Sequence, residues 1–170
     1  MTAQVADRHG ASVSSPISLV QVESVAQVDA ARALFREYQE WLQIEICFQS
    51  FEAELSSLPA PYLPPRGGLL LAMEADEVAG CGAFRPLADG TCELKRMFLR
   101  SRFRGKGIGR KMATALIDRA RAVGYPSLRL DTFAIMREAV ALYQSLGFRQ
   151  IERYYDNPHP DALFYQLDLR

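Results

Sequence analysis

The sequence reads as a single mixed α/β domain, and three patterns carry that expectation. Apolar residues recur at helical spacing in well-separated stretches. Short β-type runs stand between them, three in succession before a glycine-rich segment. The resulting order, β-α-α-β-β-β-α-β-α-β-β, contains no internal repeat and no composition break that would mark a second domain. At 170 residues the chain can bury a sizeable core as one unit. Residues 1–16, rich in Ser, Ala and Thr, are expected to be a loose tail ahead of a folded domain over 17–170.

Residues 17–22 alternate weakly and suit a first strand. Over 25–46, Val28, Ala31, Leu34, Phe35, Tyr38, Trp41 and Leu42 form one apolar stripe, which predicts a long helix. A shorter helix is expected over 48–58, and the proline run at 59–65 should stop helix and strand alike. Apolar runs at 68–73 and 78–84 flank a charged turn, the pattern of an antiparallel hairpin. After the Asp89-Gly90 turn, 92–99 adds a third strand. Ile108, Met112, Leu116 and Ala120 mark the next helix, which ends near Gly124. A strand over 127–132, a helix over 137–146 closed by Gly147, and strands over 150–154 and 162–169 complete the chain.

Lys and Arg balance Asp and Glu at 20 each, so no bulk field points to nucleic acid or an anionic membrane. Cys47, Cys81 and Cys92 form no C-x-x-C pair, and His9 and His159 lack the neighbours of a metal site. No run has the apolar core of a signal peptide or the length of a membrane span, and a reducing, cytoplasmic setting fits best.

The chemistry concentrates in residues 93–109, E-L-K-R-M-F-L-R-S-R-F-R-G-K-G-I-G. Gly105, Gly107 and Gly109 stand where a strand passes into a helix, so backbone can approach a ligand closely. The free N–H groups and dipole of the helix start favour an anion there, and Arg102, Arg104, Lys106, Arg110 and Lys111 add charge. A Walker P-loop is excluded because no Gly is followed by Lys and then Ser or Thr. A Rossmann G-x-G-x-x-G fails because Arg110 and Met112 occupy the sixth positions, although Asp131 lies at a suitable distance for a ribose-binding acid.

Arg104-Gly-Lys-Gly-Ile-Gly109 resembles the [RQ]-x-x-G-x-[GA] pyrophosphate loop of the GNAT superfamily of N-acetyltransferases. Ala139-Val-Ala-Leu-Tyr-Gln-Ser-Leu-Gly-Phe148 is similar to the A-x-x-L-Y-x-x-x-G-F signature of the same superfamily. The resemblance implies a central, mostly antiparallel sheet of six to seven strands with one splayed parallel pair, flanked by helices. It implies acetyl-CoA as donor and an amine-bearing acceptor, either a small molecule or a peptide, and relatives are often homodimers. Main-chain groups of Arg104, Gly105, Lys106, Gly107, Ile108 and Gly109, with Arg110, would bind the pyrophosphate. Met97, Phe98 and Leu99 would pair with the pantetheine arm. Met136 departs from the pattern, standing where many relatives carry a cofactor-contacting Asn.

Amine acetylation needs a neutral amine and a proton for the departing thiolate. Glu93 is the candidate base, with a solvated strand-end carboxylate paired to Lys95 or Arg96 as the alternative. Tyr143 is the candidate acid beside the sulfur, although its spacing with Ala139, Leu142 and Leu146 also suits a core aromatic. The aromatic and acidic run Tyr154-Tyr-Asp-Asn-Pro158 would suit a cationic amine. Phe48, Phe51, residues 59–65 and, less readily, Tyr38 and Trp41 are candidate pocket walls. The expected function is direct acetyl transfer from acetyl-CoA to a small amine, amino acid or protein N-terminus. A non-catalytic acyl-CoA sensor is the alternative.

Overall fold

A computed structural model describes residues 16–43 and 48–170. Its strands are β1 (Ile17–Gln21), β2 (Gly68–Glu74), β3 (Glu77–Pro86), β4 (Cys92–Leu99), β5 (Ser127–Phe133), β6 (Arg149–Ile151) and β7 (Ala162–Asp168). Its α-helices are α1 (Val25–Leu42), α2 (Phe48–Ser57), α3 (Ile108–Val123) and α4 (Arg137–Ser145). The seven strands form one sheet in the order β1-β2-β3-β4-β5-β7-β6. Every neighbouring pair is antiparallel except β4 and β5.

Strand alternation divides the apolar residues between two cores. In β2, Leu70 and Ala72 face one way, with Met112, Leu116 and Tyr143 of α3 and α4. Leu69 and Leu71 face the other way, with Leu34, Phe35, Phe51 and Leu55 of α1 and α2. The sheet is therefore covered on both sides, and each helix pair seals one face. Helix α1 starts at a reciprocal cap, in which Ser24 Oγ accepts from the Gln27 N–H and Gln27 Oε1 accepts from the Ser24 N–H.

Three local expectations change. The long helix ends at Leu42, with Gln43 in the left-handed region, and residues 44–46 of the predicted span lie outside the described residues. The proline run does not stay irregular: Ala60–Tyr62 winds into a 3-10 turn closed by the Tyr62 N–H on the Pro59 carbonyl, and Tyr62 is buried. The predicted strand over 150–154 is only Arg149–Ile151, because the chain leaves the sheet to turn Tyr154 inward. The 1–16 tail falls outside the description except for Pro16, and so does Cys47.

Candidate active site

Strands β4 and β5 pair only at Cys92↔Leu128 and Glu93↔Arg129. Beyond Glu93 they diverge, so the second half of β4 is held by β3 alone. A bulge sharpens the divergence. Between Cys81↔Phe98 and Ala83↔Lys95, β4 carries one residue more than β3, and Arg96 takes a φ of 57°. Gly82 lies opposite, where a Cβ would stand 2.5 Å from Met97 Sδ, so a larger residue there would have to displace the Met97 side chain.

A short 3-10 turn, Ser101–Phe103, links β4 to the glycines. Gly105 and Gly107 both have a φ of 76°, and no heavy atom lies within 4 Å of a Cβ built on either. Gly107 caps α3, whose first helical bond runs from the Lys111 N–H to the Gly107 carbonyl. The N–H groups of Ile108, Gly109 and Arg110 precede that bond and have no partner within the helix. Much of the basic charge predicted here is spent elsewhere. Arg102 pairs with Glu77, Lys106 with Glu74, and Arg100 forks onto Glu37. Arg104 donates to the Leu99 carbonyl over the Trp41 ring, and Arg110 donates to the Ser145 hydroxyl; neither meets a carboxylate among the described residues. The anion-binding character of the turn is therefore chiefly main-chain.

Into the gap from the α4 side comes Tyr143, packed edge-on against Phe148 at 5.7 Å. Its hydroxyl makes no hydrogen bond among the described residues. Since no fully buried side-chain oxygen there lacks a partner, the hydroxyl must open onto space. Burial, with smaller contributions from Tyr38 and Asp131, pushes its pKa above the ordinary tyrosine range.

That space is a cavity of about 1010 Å³ bounded by α1, α2, β4, β5 and residues 154–159. Its sheet wall is a charged lattice. Glu93 is only 2% exposed. Arg85 Nε and Nη2 reach its Oε2 at 3.1 Å, the Tyr154 hydroxyl donates to Oε1 at 2.7 Å, and Lys95 Nζ stands 3.5 Å from Oε1. One step along the gap, Lys95 donates to Asp131 Oδ1 at 2.7 Å, and Tyr155 donates to Oδ2 at 2.8 Å. Burial pushes the Asp131 carboxyl up, but Lys95 and the Tyr155 hydrogen bond outweigh it and hold the group below its ordinary range. Arg96, turned by the bulge toward α2, forks onto Glu54, which also accepts from Tyr62.

The splayed parallel pair, the glycine turn and the inward tyrosine coincide with what comparison finds. The model of the Acetyltransferase (GNAT) family matches residues 28–148. This chain belongs to the GNAT family. An uncharacterized N-acetyltransferase of Schizosaccharomyces pombe is 34% identical over 157 residues, covering 91% of this chain and 96% of that one. A crystal structure of a GNAT-family acetyltransferase from Staphylococcus aureus superposes with a TM-score of 0.77 at 22% identity, covering 91% of this chain and all of that one. A Bacillus subtilis acetyltransferase solved in complex with CoA has the same fold, with a TM-score of 0.66 at 20% identity and coverage of 90% and 99%. The chain is an acyltransferase, and acetyl-CoA is the donor of its family.

Within this GNAT domain, the predicted residues fall into two groups. Met97, Phe98 and Leu99 lie along the free half of β4, and residues 104–110 form the turn at its end. Glu93 lies on the opposite side of the gap from Tyr143 and is no solvated strand end, being held by Lys95 and Arg85 rather than by Arg96. The aromatic and acidic run divides: Tyr154 and Tyr155 turn inward onto Glu93 and Asp131, while Asp156 is 99% exposed beside Arg153. Asp131, Arg85 and Arg129 were missed as site residues. Their signal was register: once Glu93 pairs with Arg129, counting two along each strand brings Lys95 beside Asp131. Trp41 is half exposed and Tyr38 lines the cavity, so the end of α1 is a wall as well as core. No helix among the described residues is long and apolar enough to cross a membrane.

Proposed function

We propose that the protein transfers the acetyl group of acetyl-CoA directly to a primary amine bound with it in a ternary complex. The observation that carries this reading is the two-residue pairing of β4 and β5, which opens the sheet between Tyr143 on one side and Glu93 and Asp131 on the other. The open cradle at Gly105 and Gly107, and the unbonded Tyr143 hydroxyl, fit a long thioester-bearing donor. The N–H groups of Ile108, Gly109 and Arg110, with the main chain from Arg104, would hold its pyrophosphate. The free edge of Met97, Phe98 and Leu99 would pair with its arm.

Acetyl-CoA supplies an activated acyl group whose thiolate leaves as the amine adds. Tyr143, protonated at neutral pH and buried beside the gap, donates its hydroxyl proton toward the departing sulfur. Glu93 or Asp131 accepts the proton released by the ammonium, directly or through water. Both carboxylates are hydrogen-bonded in place, which fixes their direction. Among the described residues no cysteine suits a covalent route, since Cys81 and Cys92 are buried and burial raises both thiols, Cys92 to about 12.

The test is thiol release from acetyl-CoA over a panel of amines, with Tyr143→Phe beside the wild type. Amine-dependent release that falls about 100-fold in kcat in the variant, with unchanged acetyl-CoA affinity, is expected. Tight binding of acetyl-CoA without release for any amine would instead identify an acyl-CoA-binding module.

A further inference from the structure

The acceptor cavity is lined by five carboxylates and four cationic side chains, and their hydrogen bonding is unequal. Both oxygens of Glu54, Asp89, Glu93 and Asp131 already accept bonds from the chain. The guanidiniums are incompletely used. Arg85 bonds through Nε and Nη2, Arg129 through Nε to Gln166 and Nη1 to Asp89, and Arg96 through Nε and Nη2. Among the described residues, each keeps one terminal nitrogen without a partner. None of these nitrogens is sealed in the core, and all three side chains line the cavity. Beside the β4–β5 pairing the space thus offers unpartnered donors, while the one lining carboxylate outside the lattice, Asp156, is 99% exposed.

Register gives two of these arginines a shared geometry. Arg85 pairs with Glu93 across β3 and β4, and Glu93 pairs with Arg129 across β4 and β5. The three residues form one row across three strands and share a face, so the arginines flank Glu93 with about 10 Å between their backbones. The Tyr154 ring supports the Arg129 guanidinium at 5.3 Å. The counterion of Arg129, Asp89, stands half exposed in the β3–β4 turn, where water weakens its hold. The row lies at the closed end of the gap, where β4 and β5 still pair.

We propose that Arg85 and Arg129 clamp a carboxylate, so that the acceptor is a small amine that also carries a carboxylate, such as an amino acid. The inference rests on the acetyltransfer reading above and narrows its acceptor. Planar guanidinium edges recognise carboxylate in a way that neither an amide nor an alkyl end can match. The hydroxyls of Tyr154 and Tyr155 are spent on Glu93 and Asp131, which leaves their ring faces and the exposed Asp156 as what residues 154–158 offer a cation.

The experiment compares amino acids with their carboxamides in the thiol-release assay, using wild type and Arg129→Gln, and checks folding of the variant by acetyl-CoA binding. The wild type should prefer the free acids by about 10- to 100-fold in kcat/KM, carried by KM. In Arg129→Gln that preference should fall to within about threefold because the acids weaken, while acetyl-CoA still binds. Carboxamides accepted as well as the acids would overturn the clamp and leave acetyl transfer standing. An undiminished preference in the variant would overturn the role of Arg129. Silence with both series would overturn the clamp, and silence with every amine of the wider panel would overturn acetyl transfer as well.

Discussion

The two sides of the β4–β5 gap are built from different materials. On the donor side, the working groups are peptide N–H groups at a helix start and along a free strand edge, and side chains chiefly stay out of the way. Gly105 and Gly107 contribute a left-handed backbone and an absent Cβ. On the acceptor side, the backbone is ordinary sheet, and the chemistry lies in Arg85, Glu93, Lys95, Arg96, Arg129 and Asp131, drawn from three strands. A main-chain site tolerates side-chain change and serves one constant ligand. A side-chain lattice can be rewritten residue by residue, as specificity requires.

The largest effect should come from breaking the lattice at an ion pair whose two members are both little exposed. Arg96 and Glu54 are 11% and 12% exposed, and Arg96 lies over the Phe35 and Phe51 rings. Glu54→Gln leaves that guanidinium uncompensated and should cost about 3 kcal/mol of folding stability by denaturant titration. A loss below about 1 kcal/mol would mean that water already reaches the pair. The donor side should respond in the opposite manner, losing ligand rather than fold. A Cβ at Gly107 meets no heavy atom within 4 Å among the described residues, so the cost of Gly107→Glu to stability should be chiefly backbone strain, about 1–2 kcal/mol at a φ of 76°. Acetyl-CoA affinity should nevertheless fall by at least about 100-fold in calorimetry, because a carboxylate then faces the pyrophosphate. Gly109→Ala is the companion, since its Cβ would lie 3.6 Å from Leu99 and 3.7 Å from Leu142 in ordinary contact, and affinity should hardly change.

The smallest effect separates the sides by pH. Asp131 and Glu54 are both held below their ordinary ranges, against burial, by Lys95 and by Arg96. The unfolded chain therefore binds protons before the folded one does, and stability must fall as the solution is acidified. The contribution is complete above the ordinary 4.5 of Glu54 and 3.8 of Asp131, and is lost as pH drops through their lower folded values. Thermal melts from pH 6 to 3 should show this loss, and Asp131→Asn should flatten part of it.

The same contrast explains what was legible in the sequence. Elements with strong periodicity were readable to within a few residues, because a helix stripe or a hairpin is a local pattern. The glycine turn was readable because its requirement is also local: three glycines two residues apart at a strand-to-helix junction. Asp131 was not, because nothing near it in sequence distinguishes it from a solvated strand residue. Its meaning comes from lying beside Lys95, which is 36 residues away in the chain. Glu93 was found by position, but the Arg85 and Tyr154 partners that bury it arrive from a neighbouring strand and a distant loop.

The extra residue in β4 has a consequence for how a strand encodes its two faces. Regular alternation would send Met97 to the side of Glu93 and Lys95, and Phe98 to the side of Cys92 and Leu94. Instead Met97 joins the core under α3, and Phe98 joins the core under α1. Arg96 acts as a parity switch: it lets two consecutive cations, Lys95 and Arg96, serve the acceptor cavity, and it inverts the assignment of every residue after them. Odd-length insertions or deletions before Leu99 would therefore exchange the linings of the two half-sites, whereas even-length changes would preserve them.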